Sequence, residues 1–266
     1  MRAVIRPASP LSLFCWAVVA LAATASQAAD LVVINSSGFS AVYKQLVPAF
    51  EARTGDKLQT QAGSSFGTAP TSIPSRLDRG ERADVVIMIR EGLDAVQAKG
   101  QILEGSAVDL VRARIAMAVK AGAPVPDIGS EEGLRRALLA AQSVAYSDSA
   151  SGTYIATELY KRLGIAEPMA GKSRPISGEP VGQVVARGEA EIGFQQMSEL
   201  LPVAGITVVG FIPESVQKVT IFSAGVVAAS KEPAEARALI RYLASPEAYD
   251  AIRAGGLDPA DPSPGK

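Results

Sequence analysis

The chain has 266 residues, with 26 lysines and arginines against 27 aspartates and glutamates, no histidine and one cysteine, for a formal charge of −1. Without a basic excess it has no electrostatic claim on nucleic acid, and without histidine it cannot run Ser-His-Asp or histidine acid–base chemistry. With Cys15 as the sole thiol, disulfides within the chain and thiolate zinc sites are excluded, whereas an oxygen-only metal site is not; neither a metal nor another cofactor is expected.

Arg2 and Arg6 precede the apolar run LFCWAVVALAA (13–23), which ends in the small residues of SQA before Ala29. This is the pattern of a cleavable export signal, predicted over 1–28, and the run is too short for the ~20 residues that cross a bilayer. Cys15 lacks the small residues that precede a lipid-modified cysteine, so a soluble product in the periplasm is expected. Removing residues 1–28 takes two arginines and no acid, leaving 238 residues at a charge of −3. That length suits one large or two modest α/β domains.

LVVI (31–34) reads as a buried strand leading into a helix whose Phe39, Val42, Tyr43, Leu46, Val47 and Phe50 recur at three- and four-residue spacing. Pro48 is expected to kink or split that helix. KLQTQAG (57–63) alternates like a strand; TSIPSRLDRGERADVVIM then gives a helix, a turn and the strand VVIMI (85–89), and EGLDAVQAKG a helix closed by Gly100. RARIAMAVK (112–120) is a long strand, followed by a proline-rich turn, the helix EEGLRRALLAAQ, the strand SVAYS, the loop DSASGTY and the helix TELYKRLGI. SGEPVGQVVARGEA is a helix ending in a turn; EIGFQQ, ITVVGFI and VTIFSAGVVAAS are strands, and EPAEARALIRYLAS is an amphipathic closing helix. The tail DPADPSPGK is expected not to pack. Alternating strands and helices predict an α/β fold of mostly parallel sheets flanked by helices.

Three hydroxyl-rich loops, SSGFS (36–40), GSSFGT (63–68) and SDSASGT (147–153), each follow a strand and precede a helix. A helix start presents unpaired N–H groups and a partial positive charge, so an anion can be held there without a lysine. Any one serine is also an ordinary helix cap. Three such loops at the carboxyl ends of strands favour a shared ligand site, because open α/β sheets bind at that edge.

SSG after the first strand, GSS before the second helix, RGERADVVIM, SGTY before a helix ending in LGI, and RGEAEIGF followed by Glu199 stand in an order that resembles the periplasmic solute-binding proteins of the molybdate-binding type. The resemblance implies a two-lobed, type II periplasmic binding protein-like fold with a hinge crossed twice, near Arg112 and Thr220. The lobes would be 30–111 with 221–266, and 112–220. It also implies a monomer that captures a small anion and an inner-membrane ABC transporter as partner. Carried over by position, ligand contacts fall on Ser37, on Ser64 or Ser65, on Ser151, and on Gly178 and Gln196; Ser36, Gly152 and Thr153 of the hydroxyl loops join them as candidate contacts. Molybdate binders typically carry valine and tyrosine at the positions of Gly178 and Gln196, and a small residue where this chain has Arg90. These departures favour a di- or tricarboxylate over an oxyanion. Arg90 either forks onto a ligand carboxylate or pairs at the surface with Glu91 or Asp94. Of Gln195 and Gln196, neighbours on a strand, only one should face the cleft.

YSDSASGTY, GFQQMSELLPVAG and FSAG are similar to a narrower branch of the family that includes periplasmic aconitate isomerase. That resemblance implies an allylic proton shift as an alternative activity in the same cleft. Glu179, Glu199, Asp148 and Tyr154 lie near the matching segments as possible proton carriers, and the sequence does not choose among them.

Overall fold

The computed structural model describes residues 28–260. Residues 1–27 of the expected export signal, and residues 261–266, lie outside the described part.

β1 (Asp30–Asn35) carries apolar side chains on both faces and is buried after its first residue; it pairs in parallel with β2 (Lys57–Ala62) and β3 (Val85–Ile89). Between them run α1 (Ser37–Thr54) and α2 (Ile73–Asp78), and α3 (Arg90–Ala98) follows β3. β4 (Val108–Lys120) leads to α4 (Glu131–Ala140), β5 (Val144–Ser147) and α5 (Ala150–Tyr154), which continues through a π turn (Ile155–Leu159) into α6 (Tyr160–Arg162). Next come α7 (Ala166–Ala170), β6 (Ser173–Ile176), α8 (Val181–Ala186), β7 (Ile192–Gln196), α9 (Met197–Leu200) and β8 (Ile206–Phe211). β9 (Val219–Val226), α10 (Pro233–Leu243), α11 (Tyr249–Ala254) and β10 (Asp258–Pro259) complete the chain.

The strands lie in the order β2-β1-β3-β9-β4-β7-β5-β6, with β8 and β10 also paired to β4. The parallel pairings expected from strand–helix alternation are those of the outer strands, β2-β1-β3 and β7-β5-β6. In the middle, β9 and β4 pair antiparallel with their neighbours and with each other, so the sheet is mixed. Antiparallel pairing there needs no helical crossover, because one strand leaves a lobe and the other returns. At 13 residues β4 is long enough, roughly 43 Å, to serve both lobes. Its first part (Val108–Arg114) pairs with β9 and its second (Ile115–Lys120) with β7 and β8.

Two apolar cores result. Phe39, Tyr43 and Phe50 of α1 pack with Leu239 and Ile252 over Val33, Ile87 and Ala224 of the sheet. Leu134, Leu138, Ile155 and Leu159 pack on Ile115, Met117 and Phe194.

Three local expectations are corrected. α1 is not split at Pro48, which sits on the solvent face; water can meet the carbonyl that loses its N–H partner, while buried Tyr43, Leu46 and Phe50 hold both halves to the core. The segment read as the loop DSASGTY is helical from Ala150. The tail packs as far as Ala260: Asp258 and Pro259 pair with Arg112 and Val111, and the Ala260 N–H donates to Leu110 O at 2.9 Å. Proline is tolerated there because the short strand lies at the margin of the sheet.

Candidate functional site

A cavity of about 710 Å³ lies where the hydroxyl loops meet. Four helices begin on its wall. α1 contributes Ser36, Ser37 and Gly38; α3 contributes Ile89 and Glu91; α5 contributes Ser149 and Ser151; α9 contributes Gln196 and Glu199. None of the four carries a side-chain cap from its N-cap residue, Ser36, Ile89, Ser149 or Gln196. Away from the cavity serine behaves differently. Ser72 accepts from the Ser75 N–H at 3.3 Å and Ser130 from the Gly133 N–H at 3.1 Å, sealing α2 and α4. The same residue type caps a helix where the start is structural and leaves it open where it faces the hollow.

The wall also holds polar atoms without partners. Ser36 Oγ and Gln196 Oε1 are buried and unpaired, and so are both side-chain amide atoms of the adjacent Asn35. Leaving a buried polar atom unpaired costs about 1–3 kcal/mol, which makes such a cluster the mark of a site that a ligand completes. Ser147, Ser149 and Ser151 form a triangle of hydroxyls at 2.8, 3.1 and 3.3 Å, able to turn their protons toward an acceptor.

Of the residues singled out from sequence, Ser36, Ser37, Ser64, Ser65, Ser151, Thr153 and Gln196 line the cavity, and Arg90, Gly152 and Gly178 do not. The Arg90 guanidinium is engaged by Asp94 at 2.8 Å and Asp109 at 2.9 Å, which is the surface pairing with Asp94 plus a tie to β4. Gly152 is buried behind the hydroxyl triangle, where a Cβ would stand 1.6 Å from Ser147 O. Gly178 occupies an exposed turn with φ +79°, a left-handed conformation that glycine adopts freely. The second loop does not open its own helix, because α2 starts later and is capped by Ser72. Ser65 Oγ instead accepts the Ile89 N–H at 2.9 Å, tying that loop to the start of α3.

Gln196 faces the cavity and donates to Thr220 Oγ1 at 3.1 Å. Gln195 points the other way and accepts the Val181 N–H at 3.0 Å, capping α8. Sequence reasoning missed Thr220, Phe222 and Lys218, which line the cavity from β9 and its approach and belong to no local motif. Lys218 is the only lysine or arginine on the wall among the described residues. A second hollow, about 440 Å³ beside Arg82, Asp84 and Lys231, contains none of the expected residues.

The four possible proton carriers separate. Glu179 is off the wall, held by Arg187 at 2.8 and 3.0 Å. Tyr154 lines the cavity but donates its hydroxyl to Val216 O at 2.7 Å, and Asp148 accepts from Ser177 Oγ at 2.5 Å in an exposed position. Glu199 stands at the third position of α9, where a glutamate reaches back to the N–H of the residue before the helix, here Gln196. Withdrawal from water pushes its carboxyl above the ordinary carboxylate range, and the hydrogen bonds from Ser37, Gln195 and the Gln196 N–H only partly offset this.

A raised folded pKa means that the native state loses stability as pH rises from the ordinary carboxylate value through the raised one. Glu199→Gln is therefore expected to raise the melting temperature at neutral pH and to give no gain near pH 4, a difference that thermal scans across pH measure directly. A gain that grows toward acid would reverse the sign of this effect.

Residues 31–258 match the bacterial extracellular solute-binding protein family, and the chain belongs to it. It is 48% identical over 234 residues to the aconitate isomerase of a Pseudomonas species, covering 88% of this chain and 89% of that one. It is 26% identical over 246 residues to the molybdate-binding protein ModA of Azotobacter vinelandii, covering 89% and 92%. In fold it is similar to the substrate-binding domain of a molybdenum ABC transporter from Clostridium difficile, at a TM-score of 0.70 and 17% identity, covering 88% of this chain and all of that one. The two-lobed periplasmic binding protein-like fold expected from sequence is the fold observed.

Proposed function

We propose that this chain holds a small polycarboxylate between two lobes, 30–111 with 221–266 and 112–220, and that the ligand is aconitate, interconverted between its cis and trans forms by an allylic proton shift. The observation that carries the binding part is the set of four helix starts whose own N-cap residues supply no side-chain cap, around a cavity whose Ser36 and Gln196 oxygens lack partners. Aligned N–H groups and hydroxyls replace the water around carboxylates without a cluster of cations. The volume, about 710 Å³, falls within the ~300–1,000 Å³ typical of sites for organic ligands. The near relative named aconitate isomerase supports the reaction, since it matches almost the whole chain. Export to the periplasm through residues 1–28 belongs to the same reading.

Membership of the solute-binding family supports a second reading, in which the closed, liganded chain is presented to an ABC transporter and nothing is converted. Incubating the purified protein with trans-aconitate and following the cis isomer by proton NMR separates the two. Steady turnover is expected, together with thermal stabilisation equivalent to about 2.7 kcal/mol at a ligand concentration one hundred times Kd. Stabilisation without turnover leaves the receptor reading alone, and stronger stabilisation by molybdate than by any carboxylate overturns the ligand class.

A further inference from the structure

We infer that Glu199 is the group that takes the proton from the methylene carbon of aconitate and returns it to the former vinyl carbon; this rests on the isomerase reading above. The argument is geometric. Among the described residues four carboxylates line the cavity, Glu91, Asp148, Glu158 and Glu199, and the first three are exposed. Glu199 alone is set into the wall, at the junction of two helix starts. The neighbouring Ser198 Oγ donates to Gly38 O at 2.7 Å and pins α9 to α1, so the carboxyl has little freedom to swing away. Its hydrogen-bonding neighbours, Ser37, Gln195 and the Gln196 backbone, are all neutral. Tyr154 is committed to Val216, and the chain has no histidine to compete for the role.

The step balances without a co-reactant. The methylene C–H proton passes to the Glu199 carboxylate, and the released electron pair forms a new double bond to the central carbon. The former π pair moves onto the old vinyl carbon, spread over its carboxylate, and Glu199 returns the proton there. The methylene and vinyl carbons flank one central carbon, so a single base on one face reaches both. Whether the new double bond is cis or trans is set by the rotamer in which the cleft holds the substrate's carbon–carbon single bond. The start of α1, which Ser36 leaves without a side-chain cap, lies on the same wall and offers its N–H groups to the charge that would develop on the carboxylates. A carboxyl lifted above its ordinary range suits a group that must be ionised to begin the cycle and acidic enough to complete it.

The test compares wild type, Glu199→Gln, Glu199→Asp and Glu179→Gln for turnover of trans-aconitate, for deuterium uptake at the methylene carbon in heavy water, and for thermal stabilisation by the same ligand. Glu199→Gln is expected to lose roughly 10²–10⁴-fold in kcat and to stop deuterium uptake while keeping ligand stabilisation. Glu199→Asp should retain part of the activity with an altered acid limb in its pH profile, which a merely structural role would not move. Glu179→Gln should match wild type. Glu199→Gln within tenfold of an active wild type overturns the assignment, as does a loss of that size in Asp148→Asn alone. A wild type that binds aconitate and makes no cis isomer defeats the isomerase reading itself, and the assignment with it.

Discussion

Replacing Gly152 with alanine is expected to lower the melting temperature by roughly 6–12 °C, the equivalent of about 3 kcal/mol in a chain of this size. The added Cβ would stand 1.6 Å from the Ser147 carbonyl oxygen and 2.9 Å from the Tyr146 ring. A flexible side chain could yield, but the carbonyl belongs to β5 and cannot move without the strand. α5 must lift off the sheet, and the triangle of Ser147, Ser149 and Ser151 hydroxyls opens with it. Ligand stabilisation should therefore fall along with the melting temperature. Differential scanning calorimetry with and without aconitate measures both, and a drop under about 2 °C would mean that the helix start accommodates the methyl group.

Asp84→Ala is expected to cost about 2–4 kcal/mol. Asp84 is 2% exposed, and its carboxylate accepts the Val32 N–H at 2.8 Å and the Ser230 hydroxyl at 2.7 Å. Its backbone joins the same points, donating to Val32 O at 2.8 Å and accepting the Val227 N–H at 2.9 Å. One residue thus ties the beginnings of β1 and β3 to the turn after β9. Alanine leaves a buried strand N–H without an acceptor, whereas asparagine keeps one oxygen in place. Urea denaturation should show Asp84→Asn losing about half as much as Asp84→Ala, and equal losses in the two would place the effect elsewhere.

The repeated strand–helix pattern, the apolar face of α1 and the hydroxyl-rich sites at strand ends were legible along the chain. Each is written within a few residues, because helix periodicity, strand burial and the needs of a helix start are local properties. The order of those segments also carried the family resemblance. Glu199 was visible as an acid after a strand, and its place three residues beyond Gln196 could have marked it as a capping-box glutamate. Its set of neutral hydrogen-bond partners could not be read that way, since it includes Ser37, far away in sequence.

Other assignments turned on packing. Serine looks the same at Ser36 and Ser72, yet one is left uncapped at a cavity and the other closes α2. Arg90 stands at a strand end suited to a carboxylate ligand, but Asp109 of β4 engages it first. Gly152 sits in a segment whose sequence resembles a binding motif and serves instead to let α5 approach β5. The sequence by itself determined the elements, their order and the hydroxyl chemistry at their ends. Only the tertiary structure decided which groups face a common hollow, because the antiparallel pairing of β4 and β9 brings residues near 36, 65, 150, 198 and 220 together, and no spacing along the chain encodes that proximity.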